Sequence, residues 1–363
     1  MLKYIGIMSG TSLDGLDICL VEINSTIQLI DSTYLDFPSE LRQELLQLCS
    51  PTHNELERLS LAEQQWVRLA AQGVKQLLQQ QSLTATDITG IGSHGQTIRH
   101  HPELGFSVQI GAPALLAELT NISVVSHFRQ RDIAAGGQGA PLVPAFHEWV
   151  FKPDARSKAI VNIGGFSNIT FLNANLPTTG FDCGPGNALL DAWIQQHQQQ
   201  LYDKNGAWAA SGTLSDRLLK QLLQADFFHQ QGPKSTGREL FNLPWLAQQL
   251  SSFPELSAAD VQCTLVELTA TAISRAVQQH SQAVQELWVC GGGAHNGYLL
   301  KRLSTHLPNT KVGVTDEQGV PADWMEAMAF AWLAYCCLTK QPANLPEVTG
   351  AQGPRVLGAI YPA

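Results

Sequence analysis

The amino-acid sequence predicts an α/β protein made of two similar domains that face a cleft. Three observations indicate this fold class. The chain has 363 residues, more than one domain of about 150 residues. Strand-like apolar runs alternate with helical periodicity, as in α/β proteins. Each half also opens with two strand-like runs joined by a glycine turn, so the halves share a pattern without sharing a sequence.

The first half begins with three short apolar runs that glycine, serine and asparagine separate, which predicts antiparallel strands. Apolar residues then recur at intervals of three and four, which predicts one face of a helix. The predicted elements are, in order, strands 4–8, 17–23 and 26–30, helix 59–77, strand 88–93, helix 112–120 and strand 122–126.

The second half repeats the opening, with a Gly164-Gly165 turn between its first two strands. Ser257 and Asp260 have the spacing of a capping box at the start of a long helix. The predicted elements are strands 159–163, 168–172 and 179–183, helices 188–199, 216–223 and 258–280, strand 287–290, a helix from 296 and a last helix from 321. We expect domains of 1–130 with 340–363 and of 131–339, joined without a long linker and closed by hinge motion.

Composition and charge exclude several classes of partner. The formal net charge is −9 and no run of Lys or Arg forms a basic patch, so neither nucleic acid nor an anionic membrane is expected as a partner. The seven cysteines include no C-x-x-C, which indicates a reducing compartment. The longest apolar stretch, 327–338, is too short to span a bilayer. We expect a soluble cytoplasmic protein.

The sequence lacks the Walker P-loop, the G-x-G-x-x-G helix start, the G-x-S-x-G elbow and the H-E-x-x-H helix. Glycine turns between strands are present instead. The turn at residues 10–17 would expose backbone N–H groups to an anion, and Asp14 or Asp17 could hold Mg²⁺. An ordinary hairpin with a turn aspartate explains this turn equally well. The Gly164-Gly165 turn has the same two interpretations, but two such turns would clasp a polyphosphate from both sides.

Two further glycine-rich segments carry chemistry. Asp182 ends a short strand and precedes Gly184 and Gly186, where a carboxylate could act as a general base. The alternative is a helix N-cap, for which Asn187 is the better candidate. Three glycines, 291–293, follow a strand and would let a flat ring or a phosphate approach a helix N-terminus. The alternative for these glycines is a loop that needs positive φ.

Polar side chains follow two other predicted strands. His94 and Gln96 follow one, and Arg129 and Arg131 follow the next. In an α/β sheet the ligand crevice lies at such strand ends. Either arginine could bind a carboxylate through two hydrogen bonds, or form a surface ion pair. The loop 234–239 is either a contact to phosphate or an exposed loop, and its spacing does not decide between them.

Taken together, these motifs resemble the anhydro-N-acetylmuramic acid kinase family of the sugar kinase/Hsp70/actin superfamily. The resemblance implies two actin-like ATPase (ribonuclease H-like) domains that flank an interdomain cleft. It also implies an ATP- and Mg²⁺-dependent kinase of peptidoglycan recycling, which converts 1,6-anhydro-N-acetylmuramic acid and water into N-acetylmuramic acid 6-phosphate and ADP. The motifs that carry the resemblance are 8–17, 92–97, 132–142, 162–165, 181–187, 234–239 and 290–293.

The resemblance also implies roles for residues. Asp182 would take a proton from the water that attacks C1, Glu326 would assist at the sugar, and the protein would form a homodimer. Glu326 lies in the first turn of an apolar helix, where an acid also complements the helix dipole. The implied ATP ligands are Gly10, Thr11, Ser12, Leu13, Asp14, Gly15, Leu16, Asp17, Gly164, Gly165, Gly291, Gly292 and Gly293. The implied sugar ligands are His94, Gln96 and Arg131.

Two other functions stay open at this stage. One is a kinase of the same fold for another sugar or carboxylate, in which Asp182 deprotonates the acceptor hydroxyl directly. The other is a non-catalytic, nucleotide-gated sugar sensor. Reaction in ¹⁸O-labelled water distinguishes the first from the hydrolytic kinase, since only hydrolysis transfers solvent oxygen to C1. A sensor would bind ATP and sugar without turnover.

Overall fold

The computed structural model describes residues 2–10, 12–151, 156–230, 234, 236–237, 240–280 and 282–363. The chain divides into two compact units. The first comprises Met1–Val150 and Trp324–Ala363, and the second Phe151–Asp323. These boundaries differ from the predicted ones at 130 and 339.

The described residues form thirteen strands and thirteen α-helices. The strands are β1 (Leu2–Met8), β2 (Gly15–Ile23), β3 (Ile27–Asp36), β4 (Gly90–Ser93), β5 (Gln96–His101), β6 (Phe106–Ile110), β7 (Val124–Ser126), β8 (Lys158–Ile163), β9 (Phe166–Leu172), β10 (Thr179–Pro185), β11 (Glu286–Cys290), β12 (Lys311–Val314) and β13 (Ala359–Tyr361). The helices are α1 (Ser39–Leu48), α2 (Glu55–Gln80), α3 (Pro113–Thr120), α4 (Phe128–Ala134), α5 (Val143–Phe151), α6 (Ala188–Gln198), α7 (Ala207–Ser211), α8 (Asp216–Leu222), α9 (Leu243–Leu250), α10 (Ala258–Gln279), α11 (Gly297–His306), α12 (Met325–Leu338) and α13 (Pro346–Thr349).

The two units have sheets of the same topology. The first sheet has the order β13-β7-β4-β1-β2-β3 and the second β10-β9-β8-β11-β12. In each, the first three strands of the unit form an antiparallel meander. One further strand, β4 or β11, pairs in parallel with the first strand, and another, β7 or β12, pairs in parallel with that one. In the first unit, β13 adds an antiparallel edge strand next to β7. The two sheets therefore share one five-strand order, as expected of two similar α/β domains. The predicted fold class, with two similar α/β halves, is confirmed.

Strand β1 separates two layers of the first unit because successive side chains point to opposite faces. Ile5 and Ile7 belong to a fully buried core with Trp66 of α2. Tyr4, on the other face, contacts Tyr335 of α12 with ring centroids 5.9 Å apart. The sheet is therefore covered by helices on both faces, as its apolar strands require.

The backbone of helix α12 lies directly against the backbones of strands β1 and β4, with no side chain between them. A Cβ atom at Gly6 would lie 1.8 Å from the carbonyl oxygen of Ala327, and one at Gly92 would lie 1.9 Å from that of Phe330. Eleven of the fourteen residues of this helix are buried. This packing explains why the structure assigns 324–339 to the first unit.

The helix begins at Met325, after the 3₁₀ turn Ala322–Trp324, and not at the predicted 321.

In the second unit, α10 covers the sheet and begins with the predicted capping box. The backbone N–H of Asp260 donates to Ser257 Oγ at 3.2 Å, and Ser257 N donates to Asp260 Oδ2 at 3.3 Å.

Six of the seven cysteines of the chain are buried. Across the part of the chain that the structure describes, each helix is too short or too polar to cross a membrane.

We predict that Gly6→Ala destabilises the protein by about 1–3 kcal/mol, the usual cost of overpacking a filled core. The added methyl group would collide with the Ala327 carbonyl and force α12 off the sheet. Urea denaturation measures the change. Gly105→Asn is the control, because no heavy atom lies within 4 Å of a Cβ there and asparagine tolerates positive φ. Equal stability of the two variants would contradict the prediction.

Candidate functional site

The turn after β1 is held in place by residues of the β4–β5 connection. His94 Nδ1 donates to the carbonyl oxygen of Ser9 at 3.2 Å, and Gln96 Nε2 donates to that of Gly10, also at 3.2 Å. Ser9 Oγ donates to Gln96 Oε1. All three side chains are buried. The polar groups of His94 and Gln96 are therefore engaged within the protein at this turn.

The turn itself presents backbone and small hydroxyl groups. Leu13 has a φ of 56°, and its N–H donates to the Gly10 carbonyl at 3.4 Å. The side chains of Leu13 and Leu16 belong to the buried core, so only their backbone can contact a ligand. Ser12 Oγ donates to Asp14 Oδ1 at 2.6 Å. Thr11 lies outside the described residues.

Carboxylates surround this turn. Burial, followed by the charges of Asp14, Asp36 and Asp17, raises the pKa of Tyr34, and the charge of Arg42 opposes the shift. Three carboxylates and one guanidinium thus lie near Tyr34, so negative charge predominates there. Among the described residues, the structure contains no group of three or more His, Cys, Asp or Glu side chains that could hold a metal ion by itself. Mg²⁺ typically uses one or two carboxylates together with phosphate oxygens and water, so the donors present fit that ion and not an all-protein cage.

His94 is a neutral acceptor beside a cation. Its Nδ1 donates to a carbonyl, which leaves Nε2 to accept a hydrogen bond from Arg129 Nη2 at 2.9 Å. Burial, and then the charge of Arg129, lower the pKa of His94 to about 3. The ring packs against Phe330 of α12 with centroids 4.7 Å apart. His94 thus orients Arg129 without adding a second positive charge.

Arg129 also interacts electrostatically with Glu326 at the start of α12. Burial lowers the pKa of Arg129 to about 10, and the charges of Glu326 and Asp132 oppose that shift. Burial raises the pKa of Glu326, and Arg129 opposes it. The guanidinium therefore favours the ionised form of Glu326, against the effect of burial.

The sequence did not decide between Arg129 and Arg131 as a ligand-binding arginine. In the structure, the two side chains lie on different sides of helix α4. Arg129 Nη1 donates to the Gly139 carbonyl at 2.7 Å, whereas Arg131 is exposed. Residues two apart point to different sides of a helix. Asp132, fully buried, accepts from Gly139 N at 2.8 Å and from Asn344 Nδ2 at 2.7 Å. The helix is thereby fixed, and Arg129 is the arginine that reaches His94.

In the second unit, the 164–165 turn and the residues after β10 bind each other through their backbones. Gly186 N donates to the Gly165 carbonyl at 2.9 Å, and Asn187 N to the Gly164 carbonyl at 2.8 Å. The Asn187 side chain does not cap α6. Its Nδ2 donates to the Ile163 carbonyl at 3.1 Å. Asn187 thus occupies the predicted N-cap position, but its amide holds the neighbouring turn instead of capping the helix.

The 291–293 turn packs against the same place. Gly291 has a φ of 74°, and a Cβ there would lie 2.2 Å from Asn162 Oδ1; at Gly293 it would lie 2.5 Å from the Ile163 side chain. These two glycines are required by packing. At Gly164 and Gly165, by contrast, a Cβ would have no other heavy atom nearer than 3.8 and 3.7 Å. The structure thus brings the two predicted turns together and leaves room over one of them.

Asp182 lies within the edge strand β10, paired with Asn168 at a bulge that ends at Gly184. It is not the cap of α6. Its Oδ2 accepts a hydrogen bond from the backbone N–H of Thr236 at 3.0 Å, and its own N–H donates to the Lys234 carbonyl at 3.0 Å. Three members of the predicted 234–239 loop, Ser235, Arg238 and Glu239, lie outside the described residues.

Comparison with known proteins gives matches over the whole chain. A family model described as anhydro-N-acetylmuramic acid kinase matches residues 2–363. The chain is 60% identical over 362 residues to the anhydro-N-acetylmuramic acid kinase of Pseudomonas fluorescens (strain Pf0-1), with 100% of both proteins covered. It is 51% identical over 362 residues to that of Bordetella avium (strain 197N), with 99% of this chain and 96% of that protein covered.

Among solved structures, the activator of 2-hydroxyisocaproyl-CoA dehydratase from Clostridium difficile with bound ADPNP aligns with a TM-score of 0.49 at 12% identity. The alignment covers 93% of this chain and 96% of that one. A ROK family glucokinase from Streptomyces griseus in complex with glucose and AMPPNP aligns with a TM-score of 0.42 at 11% identity, over 91% and 98% of the two chains.

We predict that Arg129→Met destabilises the protein by about 1–3 kcal/mol at pH 8, because the Gly139 carbonyl and His94 Nε2 lose a hydrogen-bond donor and Glu326 loses the nearby positive charge. Without the guanidinium, the pKa of Glu326 rises further above its unfolded value. The penalty therefore applies at high pH and decreases as pH falls and the carboxyl takes up a proton. Urea denaturation at pH 5 and pH 8 measures this, with exposed Arg131→Met as the control. A loss that does not depend on pH would refute the pairing with Glu326.

Proposed function

The chain belongs to the anhydro-N-acetylmuramic acid kinase family, and from this premise we propose that it phosphorylates 1,6-anhydro-N-acetylmuramic acid with ATP during peptidoglycan recycling. The products are N-acetylmuramic acid 6-phosphate and ADP. The observation that carries the proposal is Asp182: a carboxylate on a strand edge, with one oxygen held by an amide, in a chain that matches the family from end to end.

Asp182 acts as the general base. Water forms the new bond to C1 and gives its proton to the Asp182 carboxylate, while the C1–O6 bond breaks. O6 then bonds to the γ-phosphorus and the bond to ADP breaks. The N–H of Thr236 stabilises the ionised carboxylate, which is the form that a base requires before the reaction.

Glu326 assists at the sugar as a second carboxyl group, whose pKa burial raises and the charge of Arg129 lowers. Because His94 and Gln96 are engaged in holding the turn and Arg129, we assign them to positioning and not to contact with the sugar. Arg131, exposed on α4, stays the proposed ligand of the lactyl carboxylate, since a guanidinium binds a carboxylate through two parallel hydrogen bonds.

The nucleotide binds through backbone groups. Residues 10–17 hold the β- and γ-phosphates, with Leu13 and Leu16 contributing only main-chain atoms, and the open 164–165 turn provides further N–H donors. The 291–293 turn borders the adenosine. Such donors act mainly by positioning the phosphates and stabilising charge, which is most of what phosphoryl transfer requires.

Asp14 or Asp17 would hold Mg²⁺. The ion supplies positive charge that offsets both the phosphates and the carboxylates near Tyr34. Without such a cation, the negative potential of this turn would oppose the binding of a polyphosphate. The donors described above therefore favour metal-bound ATP over free ATP as the co-substrate.

We further propose that the protein works in the cytoplasm, where ATP is present, and forms a homodimer. Buried cysteines are consistent with a reducing compartment. Leu104, Phe106 and Val108 are 68%, 40% and 36% exposed on or beside β6 and provide an apolar surface of the kind that oligomer contacts cover.

We predict that Asp182→Asn lowers ADP release with Mg²⁺ATP and 1,6-anhydro-N-acetylmuramic acid by about 10²–10⁴-fold, the scale of a general base. Asparagine keeps the shape of the side chain but cannot take the proton. Wild-type turnover in ¹⁸O-labelled water should place the label on C1, whereas a kinase without hydrolysis would leave C1 unlabelled. No turnover by the wild type would overturn the proposed substrate.

We also predict that the combined Asp14→Asn, Asp17→Asn variant raises the Mg²⁺ concentration for half-maximal activity by about tenfold or more, which is at least about 1.4 kcal/mol of binding. The single variants identify the ligand. Asp36→Asn removes a carboxylate near Tyr34 that lies outside the turn, and it should leave the Mg²⁺ requirement unchanged. An unchanged requirement in the double variant would exclude both aspartates as ligands.

A further inference from the structure

Lys234 is anchored within the second unit by its side chain. Its Nζ donates to the Phe227 carbonyl at 3.1 Å and to that of Gln230 at 3.5 Å. The ammonium also lies 4.4 Å from the centroid of the Phe227 ring, a distance typical of a cation–π contact. The charge is therefore engaged at the end of the 3₁₀ turn Asp226–His229.

The backbone beside this anchor holds Asp182 at two points. The Lys234 carbonyl accepts the N–H of Asp182 at 3.0 Å, on the edge of β10 that faces away from β9. Two residues on, the Thr236 N–H donates to Asp182 Oδ2 at 3.0 Å. One contact restrains the main chain of Asp182 and the other its carboxylate, so together they fix the direction of the side chain.

The anchor rests on an aromatic cluster formed by Phe227, Phe228, Phe241 and Trp245. The Phe227 ring contacts those of Phe228 and Phe241 with centroids 5.5 and 5.8 Å apart, and Phe241 contacts Trp245 at 5.1 Å. The cluster reaches back to β10, because a Cβ at Gly184 would lie 3.0 Å from Phe228 Cε1. Lys234 thus ties its segment to side chains that pack beside the strand of Asp182.

We propose that Lys234 is a positioning residue for Asp182, acting through the backbone of residues 234 and 236. This inference rests on the proposed function, in which Asp182 is the base. A base misplaced by about 1 Å can cost up to about 100-fold in rate, so loss of the anchor should lower kcat. The interpretation of Lys234 as a phosphate ligand, open from sequence, predicts instead a higher KM for ATP.

The test compares the steady-state kinetics of the wild type with Lys234→Met, Lys234→Arg and Lys311→Met. Methionine keeps the apolar stem but has no ammonium, whereas arginine keeps the donors and the charge. Lys311 is a matched control in the same unit, because its Nζ also lies over an aromatic ring, 4.6 Å from the centroid of Trp288. ADP affinity, measured by calorimetry, and the thermal midpoint are recorded for each variant.

We predict that Lys234→Met lowers kcat about 10- to 100-fold, with KM for ATP and ADP affinity within twofold of the wild type. Lys234→Arg should recover most of the rate, and Lys311→Met should match the wild type. A wild-type kcat in Lys234→Met, or a raised KM for ATP with unchanged kcat, would overturn the inference. Absence of wild-type turnover would instead refute the proposed function, and the inference would fall with it.

A further variant keeps the test decisive if Lys234→Met lowers the thermal midpoint. Thr236→Pro removes the N–H that Asp182 accepts and should reproduce the loss of kcat at unchanged ADP affinity. A Thr236→Pro enzyme with the kcat of the wild type would overturn the inference independently.

Discussion

The approach of α12 to the glycines of β1 and β4 determines the geometry of the first unit. With no side chain at Gly6 or Gly92, the helix backbone lies directly on the sheet. Glu326 is in the first turn of this helix, and Phe330, one turn later, packs against His94. The same contact therefore sets the depth of the carboxylate and the position of the imidazole that orients Arg129. A looser helix would shift all three groups together.

The charges around Glu326 follow from that depth. Desolvation disfavours every ionised group there, raising the pKa of Glu326 and lowering those of Arg129 and His94. Among these groups His94 is neutral and accepts a hydrogen bond from Arg129, while the charge of Arg129 lowers the pKa of Glu326 against the effect of burial. A second cation on the imidazole would repel Arg129 and weaken its hold on Glu326. The neutral histidine therefore keeps the arginine in place at no cost in repulsion.

Sequence patterns predicted the elements that local periodicity encodes. The doubled strand–glycine turn–strand opening predicted two similar halves, and the Ser257–Asp260 spacing predicted a capping box that forms. Long-range packing was not predictable. The approach of residue 6 to residue 327 leaves no local signal, so the domain boundary was placed after α12. The sequence likewise could not show that Asn187 donates to Ile163 instead of capping its helix, or that Arg129 faces inward while Arg131 is exposed.

The glycines of the second unit show why a motif and a binding surface are different things. In the 291–293 turn, Gly291 and Gly293 are accounted for by close contacts with Asn162 and Ile163, so the fold alone requires them. Gly164 and Gly165 meet no such contact, and packing does not explain the absence of side chains there. A bound phosphate would, because backbone N–H groups approach an anion closely only where no Cβ intervenes. Packing does not require the glycines of the 164–165 turn, so this turn, and not the 291–293 turn, supports a bound ligand.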